Sequence, residues 1–453
     1  MKNKEEILEY IKKHPSSKVK IAITDIDGIL RGKVVRKDKF YNILSGGFGF
    51  CDVVFGWDCA DVSYENSLYT GWHTGYPDAH AVVDINTFRK IPWEGGVPFF
   101  LADFESETGE PTSVCPRKLL KKVKKDSLDM GYKAIFAQEF EWFNFEETPD
   151  SFEQKGFINP KPMTPGMFGY SVLRASLKND YFKDLFELME AYDVPLEGLH
   201  TETGPGVYEA AILYGDIIES ADRAVLFKSG VKEIAYKHGV MASFMAKWRM
   251  DMPGCSGHVH QSLWDGINNE NLFYDPMNEY GMSDLMQSYV AGQLYCLPHI
   301  LPMVAPNINS FKRLVEGAWA PTTLTWASDN RTTALRVLCS GSKSSRLETR
   351  VCGSDTNPYL AMAACLASGL YGIRHNLKLD QPATIGNGYK DFSNGSLPYS
   401  LESATNNMKV SSVAKELFGE AFVDHFTRTR EWEIKQFAQS VTDWEYKRYF
   451  EII

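Results

Sequence analysis

Four short patterns place acidic, basic and imidazole side chains at spacings suited to chemistry. In AQEFEWFNF, Glu139 and Glu141 stand two residues apart within a run that is otherwise mostly apolar. If the run is a strand, period-two alternation puts both carboxylates on one face. Two like charges beside an apolar surface repel each other and lose hydration unless something neutralises them, and a divalent cation does so directly. In HTETGPGVYE, Glu202 and Glu209 flank a Gly-Pro-Gly turn, whose backbone freedom lets a tight reversal aim both carboxylates at one point. GCSGHVHQSL carries His258 and His260 in strand-like alternation with Ser262 beyond. Imidazoles so placed point into one cavity, which suits a metal or a phosphate. Finally, NSFKRL, SDNRTTALRV and GSKSSRLETR gather Arg313, Arg331, Arg336, Lys343, Arg346 and Arg350, with Glu348 between the last two. Guanidinium forks match carboxylate and phosphate oxygens.

Each pattern taken singly also suits a solvated or packed face. Their joint content is narrower: oxygen-rich ligation with a few imidazoles, beside a basic pocket for anions. Hard carboxylate ligands favour Mg²⁺ or Mn²⁺ over structural zinc. Such ions next to arginines are the parts needed for phosphoryl transfer, in which charge on the moving group must be stabilised. There is no GxxxxGK[ST] segment, so a nucleotide here is not held by a Walker-type loop.

The elements that must position these residues follow from periodicity. A short N-terminal helix leads into KVKIAITDIDGILRGKVV, where Val19, Ile21 and Ile23 alternate with Lys20, Ala22 and Thr24 and Asp27-Gly28 signals a hairpin turn. A small β-rich unit runs to about Phe104, and the polar ESETGEPTSVCP reads as a linker. Beyond it, strand-like AIFAQEFEWFNF, GHVHQSLWD, ALRVL and SRLETRV alternate with helical YFKDLFELMEAY, ADRAVLFKSGVKEIAYK and the stretch after MSDLMQSYVAGQLY. The mixture predicts an α+β fold with a large, mostly antiparallel sheet, divided into residues 1–106 and 107–453.

At 453 residues the chain exceeds one ordinary core, and 44% hydrophobic with 23% charged residues is the balance of a globular protein. With a net charge of −10 and no basic block, nucleic acid is excluded as a partner. The N-terminal MKNKEEILEYIKKHP is charged where a signal peptide needs an apolar segment. Tyr359 to Ile373, the longest apolar stretch, is interrupted by Ser and Gly and falls short of the ~20 residues that span a bilayer. It reads as a buried helix. The eight cysteines include no CxxC pair, so small buried hydrophobes are expected rather than disulfides or catalysis, and the cytoplasm rather than a membrane or a secreted setting.

These motifs, in this order, resemble the glutamine synthetase family of the bacterial type I class, from ITDIDGILRGK to the closing VTDWEYKRYFE. The resemblance implies an N-terminal β-grasp domain beside a catalytic domain with a curved antiparallel sheet, shared with guanido kinases. It also implies a homododecamer of two stacked hexameric rings. Residue by residue, Glu141, Glu202 and Glu209 match ligands of the metal on the glutamate side, and Glu139, His258 and Glu348 those of the metal on the ATP phosphates. Two or three Mg²⁺ or Mn²⁺ ions per active site are implied, with ATP as co-substrate. Gly254, Arg313 and Arg350 match glutamate-binding positions, and Arg331 the residue facing the transferred phosphate. Glu197, His260, Ser262, Arg336, Lys343 and Arg346 fall at nucleotide-binding positions. The implied chemistry has two steps, through γ-glutamyl phosphate.

The chain departs from the family where ammonium would bind. The flap motif GYEAP stands here as EGAWAP, so Trp319 occupies the place of a carboxylate, and Glu316 is three residues away. Indole in place of carboxylate removes charge attraction and adds an apolar, cation-π-capable surface. Asp58 matches the other ammonium-site acid, Tyr170 falls near the same pocket, and Pro253 replaces an Asn common before Gly254. This pattern resembles the γ-glutamylamine ligases, so an organic amine is the expected acceptor. Ordinary glutamine synthesis from ammonium, and a non-catalytic structural role, are the competing expectations.

Overall fold

The computed structural model of the chain describes residues 3–105 and 112–453. The expected domain boundary at 106/107 and half of the linker lie outside the described residues. A six-stranded sheet comes first, built from β1 (Lys18–Thr24), β2 (Leu30–Arg36), β3 (Phe48–Cys51), β4 (Asp78–Val83), β5 (Arg89–Ile91) and β6 (Val97–Phe104). Its order is β2-β1-β6-β4-β3, with β5 on β6, and β1 runs parallel to β6. The β1–β2 hairpin turns at Asp25–Ile29: Asp25 Oδ1 accepts the amides of Asp27 and Ile29, and Gly28 takes φ +84°.

The alternation expected for β1 holds for one face only. Val19, Ile21 and Ile23 pack with Phe40, Phe100 and Phe104 in a core of their own. Ala22 on the opposite face is also buried, joining Ile26, Ile91, Phe99 and Leu101 in the main core of the molecule. The second face is covered by the larger unit rather than by water, which is why the polar half of the alternation ends at Lys20. Each large apolar side chain so buried stabilises the junction by about 1.5–3 kcal/mol.

The larger unit holds a nine-stranded sheet of β7 (Tyr132–Phe145), β8 (Leu196–Thr201), β9 (Val207–Ile212), β10 (Gly215–Asp216), β11 (Met241–Ser243), β12 (Val259–Asp265), β13 (Trp326–Ser328), β14 (Leu335–Leu338) and β15 (Arg346–Thr349). The order is β13-β14-β15-β12-β7-β9-β8, antiparallel except for β13 beside β14, with β10 and β11 on further stretches of β7. Along β7, Ala134, Phe136, Gln138, Phe140 and Trp142 are buried while Ile135, Ala137, Glu139 and Glu141 are only partly covered. The even residues face a helical layer and the odd residues face a cleft.

The helical layer centres on Pro358–Arg374, buried nearly throughout. It packs on helices Pro116–Asp129, Ile217–Lys237 and Asp284–Ile300. The Gly residues that interrupt its apolar run mark the close crossing: a Cβ on Gly372 would stand 2.0 Å from Ser288 O, and one on Gly292 2.4 Å from Ser368 O. Asn357 caps this helix by accepting from Tyr359 N, and its Nδ2 donates to Asp25 O at 3.1 Å and Ile26 O at 3.2 Å. A second tie between the units is ionic. Arg117 forks onto Asp222 with two bonds of 2.8 Å and donates to Asp103 at 2.9 Å and Asp84 at 3.0 Å. Lys121 contacts both Asp84 and Asp103, and Tyr359 Oη donates to Asp222.

Candidate active site

The cleft-facing side chains meet in two cross-strand rows. In one, Glu141 of β7 pairs with Glu209 of β9, and Glu209 with His200 of β8. In the other, Ala137, His260, Glu348 and Arg336 lie in register across β7, β12, β15 and β14. Directly opposed residues on one face sit about 4.5–5.5 Å apart at Cβ, so register alone delivers residues that are distant in sequence to a common site. The Gly204-Pro205-Gly206 turn returns the chain so that Glu202 joins the first row.

The second row is a mixed acid–imidazole centre. His258 Nδ1 lies 2.8 Å from Glu139 Oε1 and 3.2 Å from Glu348 Oε1, and His260 Nε2 lies 3.4 Å from Glu139 Oε2. Ligand atoms of Glu139, His260 and Glu348 fall within 4.8 Å of one another. Burial raises the Glu348 pKa, but His258, His260 and Arg350 outweigh it and hold the carboxyl at about 2. Burial and the Arg350 charge bring His258 down to about 4. The Nε2 atoms of His258 and His260 are buried without a hydrogen-bond partner.

The first row has no comparable counter-charge. Burial pushes Glu209 up to about 11, reinforced by the charges of Glu139, Glu141 and Glu202. Glu141 is raised by burial as well, although the Ser256 amide donates to its Oε2 at 2.6 Å. His200, Glu202 and Glu209 bring ligand atoms within 4.8 Å of one another. A divalent cation fits this arrangement, because it supplies the charge that the carboxylates lack.

Beside these acids lies the basic pocket. Arg313 is fully buried, donating to Val351 O at 3.0 Å, Ser256 Oγ at 3.0 Å and Arg350 O at 3.1 Å. Gly254 makes room for it: a Cβ there would be 2.8 Å from Arg313 Cγ. Arg350 donates to Glu348, to Arg331 O and, at 3.4 Å, to Trp319 O. Arg336 joins Glu348 to Asp329. On the other side of His260, a cavity of about 300 Å³ is lined by Glu197, His260, Ser262, Lys343 and Arg346 together with Ile135, Ile212, Tyr214 and Trp264. This mixture of charged, hydroxyl, imidazole and aromatic side chains suits a nucleotide.

The three residues expected to face the amine are placed differently from one another. Trp319 is 60% exposed in the loop before β13, with φ +57°. Its neighbour Glu316 is paired with Lys390 at 2.6 Å. Tyr170 lies against His200 with ring centroids 4.8 Å apart and planes tilted by 48°, and the Arg331 charge lies near its hydroxyl. Asp58 is tied to its own loop and to a C-terminal helix: it accepts the amides of Ala60 and Val62 and, at 2.9 Å, the indole N–H of Trp432. The sequence reading passed over His200, although it lies two residues before Glu202, the same alternation that singled out Glu139 and Glu141. It also passed over Tyr214, Trp264 and Tyr389, whose buried hydroxyl lies near Arg350 and Arg313; nothing local marks these three, since their neighbours come from distant segments.

Comparison with known proteins places this geometry in a family. The family described as glutamine synthetase, catalytic domain, matches residues 113–449. The chain is 53% identical to a type-1 glutamine synthetase 2 of Dictyostelium discoideum over 99% of its own length and 86% of that protein. It is 37% identical to a glutamate–isopropylamine ligase of a Pseudomonas species, over 100% of this chain and 99% of the other. A solved GmaS/ADP complex superposes with a TM-score of 0.85 at 26% identity, covering 98% and 99% of the two chains. The chain belongs to the glutamine synthetase family and is an ATP-dependent carbon–nitrogen ligase of the kind that uses divalent metal ions.

Proposed function

We propose that this ligase joins the γ-carboxylate of glutamate to an organic amine, through γ-glutamyl phosphate. The observation that carries the reading is the convergence of Glu139, Glu141, Glu202, Glu209, His258 and Glu348 against the Arg313 and Arg350 guanidinium groups. A carboxylate is a poor electrophile. One γ-carboxylate oxygen therefore attacks the terminal phosphorus of ATP, and ADP leaves. The amine nitrogen then attacks the acyl carbon, phosphate leaves, and the nitrogen loses a proton. Bound Mg²⁺ or Mn²⁺ supplies Lewis-acid stabilisation of the phosphate oxygens.

The chain's own groups bind and orient. Glu141, Glu202 and Glu209 hold the cation on the glutamate side; Glu139, His258 and Glu348 hold the one on the nucleotide side. Arg313, Arg350 and the Gly254 backbone receive glutamate, and Arg331 faces the transferred phosphoryl group. Glu197, His260, Ser262, Arg336, Lys343 and Arg346 hold ATP. A flap closing over the acyl phosphate excludes water, which would otherwise hydrolyse it.

An organic amine is favoured over ammonium by the flap. Trp319 presents indole, and the nearest acid, Glu316, is already engaged by Lys390. In the proposed homododecamer, in the cytoplasm, Asp58 and Tyr170 complete the amine pocket. Residues 1–106 act as the β-grasp domain and 107–453 as the catalytic domain. Glutamine synthesis from ammonium remains the second reading, favoured by the 53% identity to a protein of that name.

The deciding experiment is ATP-dependent phosphate release with glutamate and a panel of alkylamines, polyamines, arylamines and ammonium. Faster turnover with an organic amine supports the proposal, and efficient turnover with ammonium alone replaces it with the second reading. Failure to bind Mn²⁺ or ATP at all leaves only a structural role.

A further inference from the structure

A cation held by Glu202 and Glu209 has a third neighbour that the three-carboxylate set leaves out. His200 lies opposite Glu209 in the β8–β9 ladder, so its ring shares the cleft face. Its Nε2 stands 3.3 Å from Glu209 Oε1, and the ligand atoms of His200, Glu202 and Glu209 all fall within 4.8 Å of one another. Nδ1 is buried with no hydrogen-bond partner, so no carbonyl or carboxylate commits the ring to a different tautomer. Tyr170 covers the imidazole at 4.8 Å, and its N–H is fastened to Thr201 O of the same strand at 2.7 Å. The ring is thus held over the acids by packing. Glu141, by contrast, has one carboxylate oxygen taken by the Ser256 amide at 2.6 Å.

We infer that His200 directly ligates the glutamate-side cation, making that centre a mixed imidazole–carboxylate site. An imidazole nitrogen raises affinity for first-row ions, of which Mn²⁺ gains least, more than for Mg²⁺, which prefers an all-oxygen octahedral shell. The centre therefore selects Mn²⁺ over Mg²⁺. This rests on the proposed cation centre and is independent of which amine is used.

The test is Mn²⁺ binding to the full chain, followed by electron paramagnetic resonance without substrates, with Mg²⁺ as competitor. In His200→Gln, one class of Mn²⁺ site weakens about 10-fold or more while the other is unchanged. In His200→Asp, which restores an oxygen ligand, cation binding is retained and Mn²⁺/Mg²⁺ discrimination falls about 10-fold. Pulsed spectra lose the nitrogen coupling of one imidazole in both variants and keep that of the His258/His260 centre. Unfolding midpoints in chelator that match the wild type exclude misfolding as the cause. Wild-type affinities and nitrogen coupling in both variants would overturn the inference and leave His200 a hydrogen-bonding neighbour of Glu209. Absence of Mn²⁺ binding in the wild type overturns the cation centre, and with it the proposed function.

Discussion

Two clusters of partly or fully covered carboxylates lie in this molecule, and they are neutralised in opposite ways. Asp84, Asp103 and Asp222 surround Arg117 and Lys121, so every acid has a basic partner supplied by the chain. Glu141, Glu202 and Glu209 converge with an imidazole beside them and without a direct basic partner, the Arg313 charge reaching Glu141 while its own hydrogen bonds go to Ser256 Oγ and backbone carbonyls. Arg117 and Lys121 outweigh the cost of burial and hold Asp84 and Asp103 below the usual carboxylate range, whereas burial and mutual repulsion push Glu209 up to about 11. A closed network of this kind joins two units of structure. An open one requires a charge from outside, and a binding site is where such a requirement persists. Burial alone does not distinguish them; where the counter-charge comes from does.

The largest expected effect comes from breaking the closed network. Arg117→Met leaves Asp222 with the Tyr359 hydroxyl and Asp84 and Asp103 with Lys121 alone, and costs about 3–5 kcal/mol, measured by denaturant unfolding. Titration attacks the same network from the other side. Because Asp84 and Asp103 have folded pKa values below their ordinary 3.8, their contribution is present above pH 3.8 and is lost as pH falls below it. Acid unfolding followed by circular dichroism should show stability declining in that window, and Arg117→Met should flatten the decline.

The open cluster responds to cations instead. Mn²⁺ at a hundred times its dissociation constant should stabilise the protein by about 2.7 kcal/mol, seen as a rise in thermal midpoint that chelator reverses. Glu209→Gln removes the cost of holding that carboxyl protonated far above its ordinary range, so the metal-free protein should gain about 1 kcal/mol. Ligase activity should fall by about 100-fold or more, since a cation ligand is lost. The smallest effect calibrates the comparison. Lys125 and Asp129 form an ion pair on the same helix as Arg117, but both are largely exposed. Lys125→Ala should cost no more than about 0.5 kcal/mol.

Much of the site was legible from local spacing. Period two along AQEFEWFNF placed Glu139 and Glu141 together, and alternation in GHVHQSL placed His258 and His260 against Glu139. The large, mostly antiparallel sheet and the buried helix at Pro358–Arg374 followed from the same patterns. What escaped was set by long-range packing. Nothing in KVKIAIT says that its second face is covered, because the cover arrives from elsewhere in the chain. The Gly residues in Pro358–Arg374 read as interruptions until their contact with Ser288 and Gly292 shows them to be a crossing point. Asp58 was matched by motif, and its hydrogen bond from Trp432 was not, because no local pattern names that distant partner.

Asn357 serves two masters: it starts the central helix and also grips the turn of the first hairpin. Gly28 lies so close that a methyl group there would touch its backbone at 3.0 Å. Side chains at position 28 would therefore be felt at the start of a helix more than three hundred residues downstream, just past the strand that carries Glu348. A lesion in the first hairpin would then present as an enzyme defect, and shortening the protein from its front end would uncover an oily seam rather than release an independent catalyst.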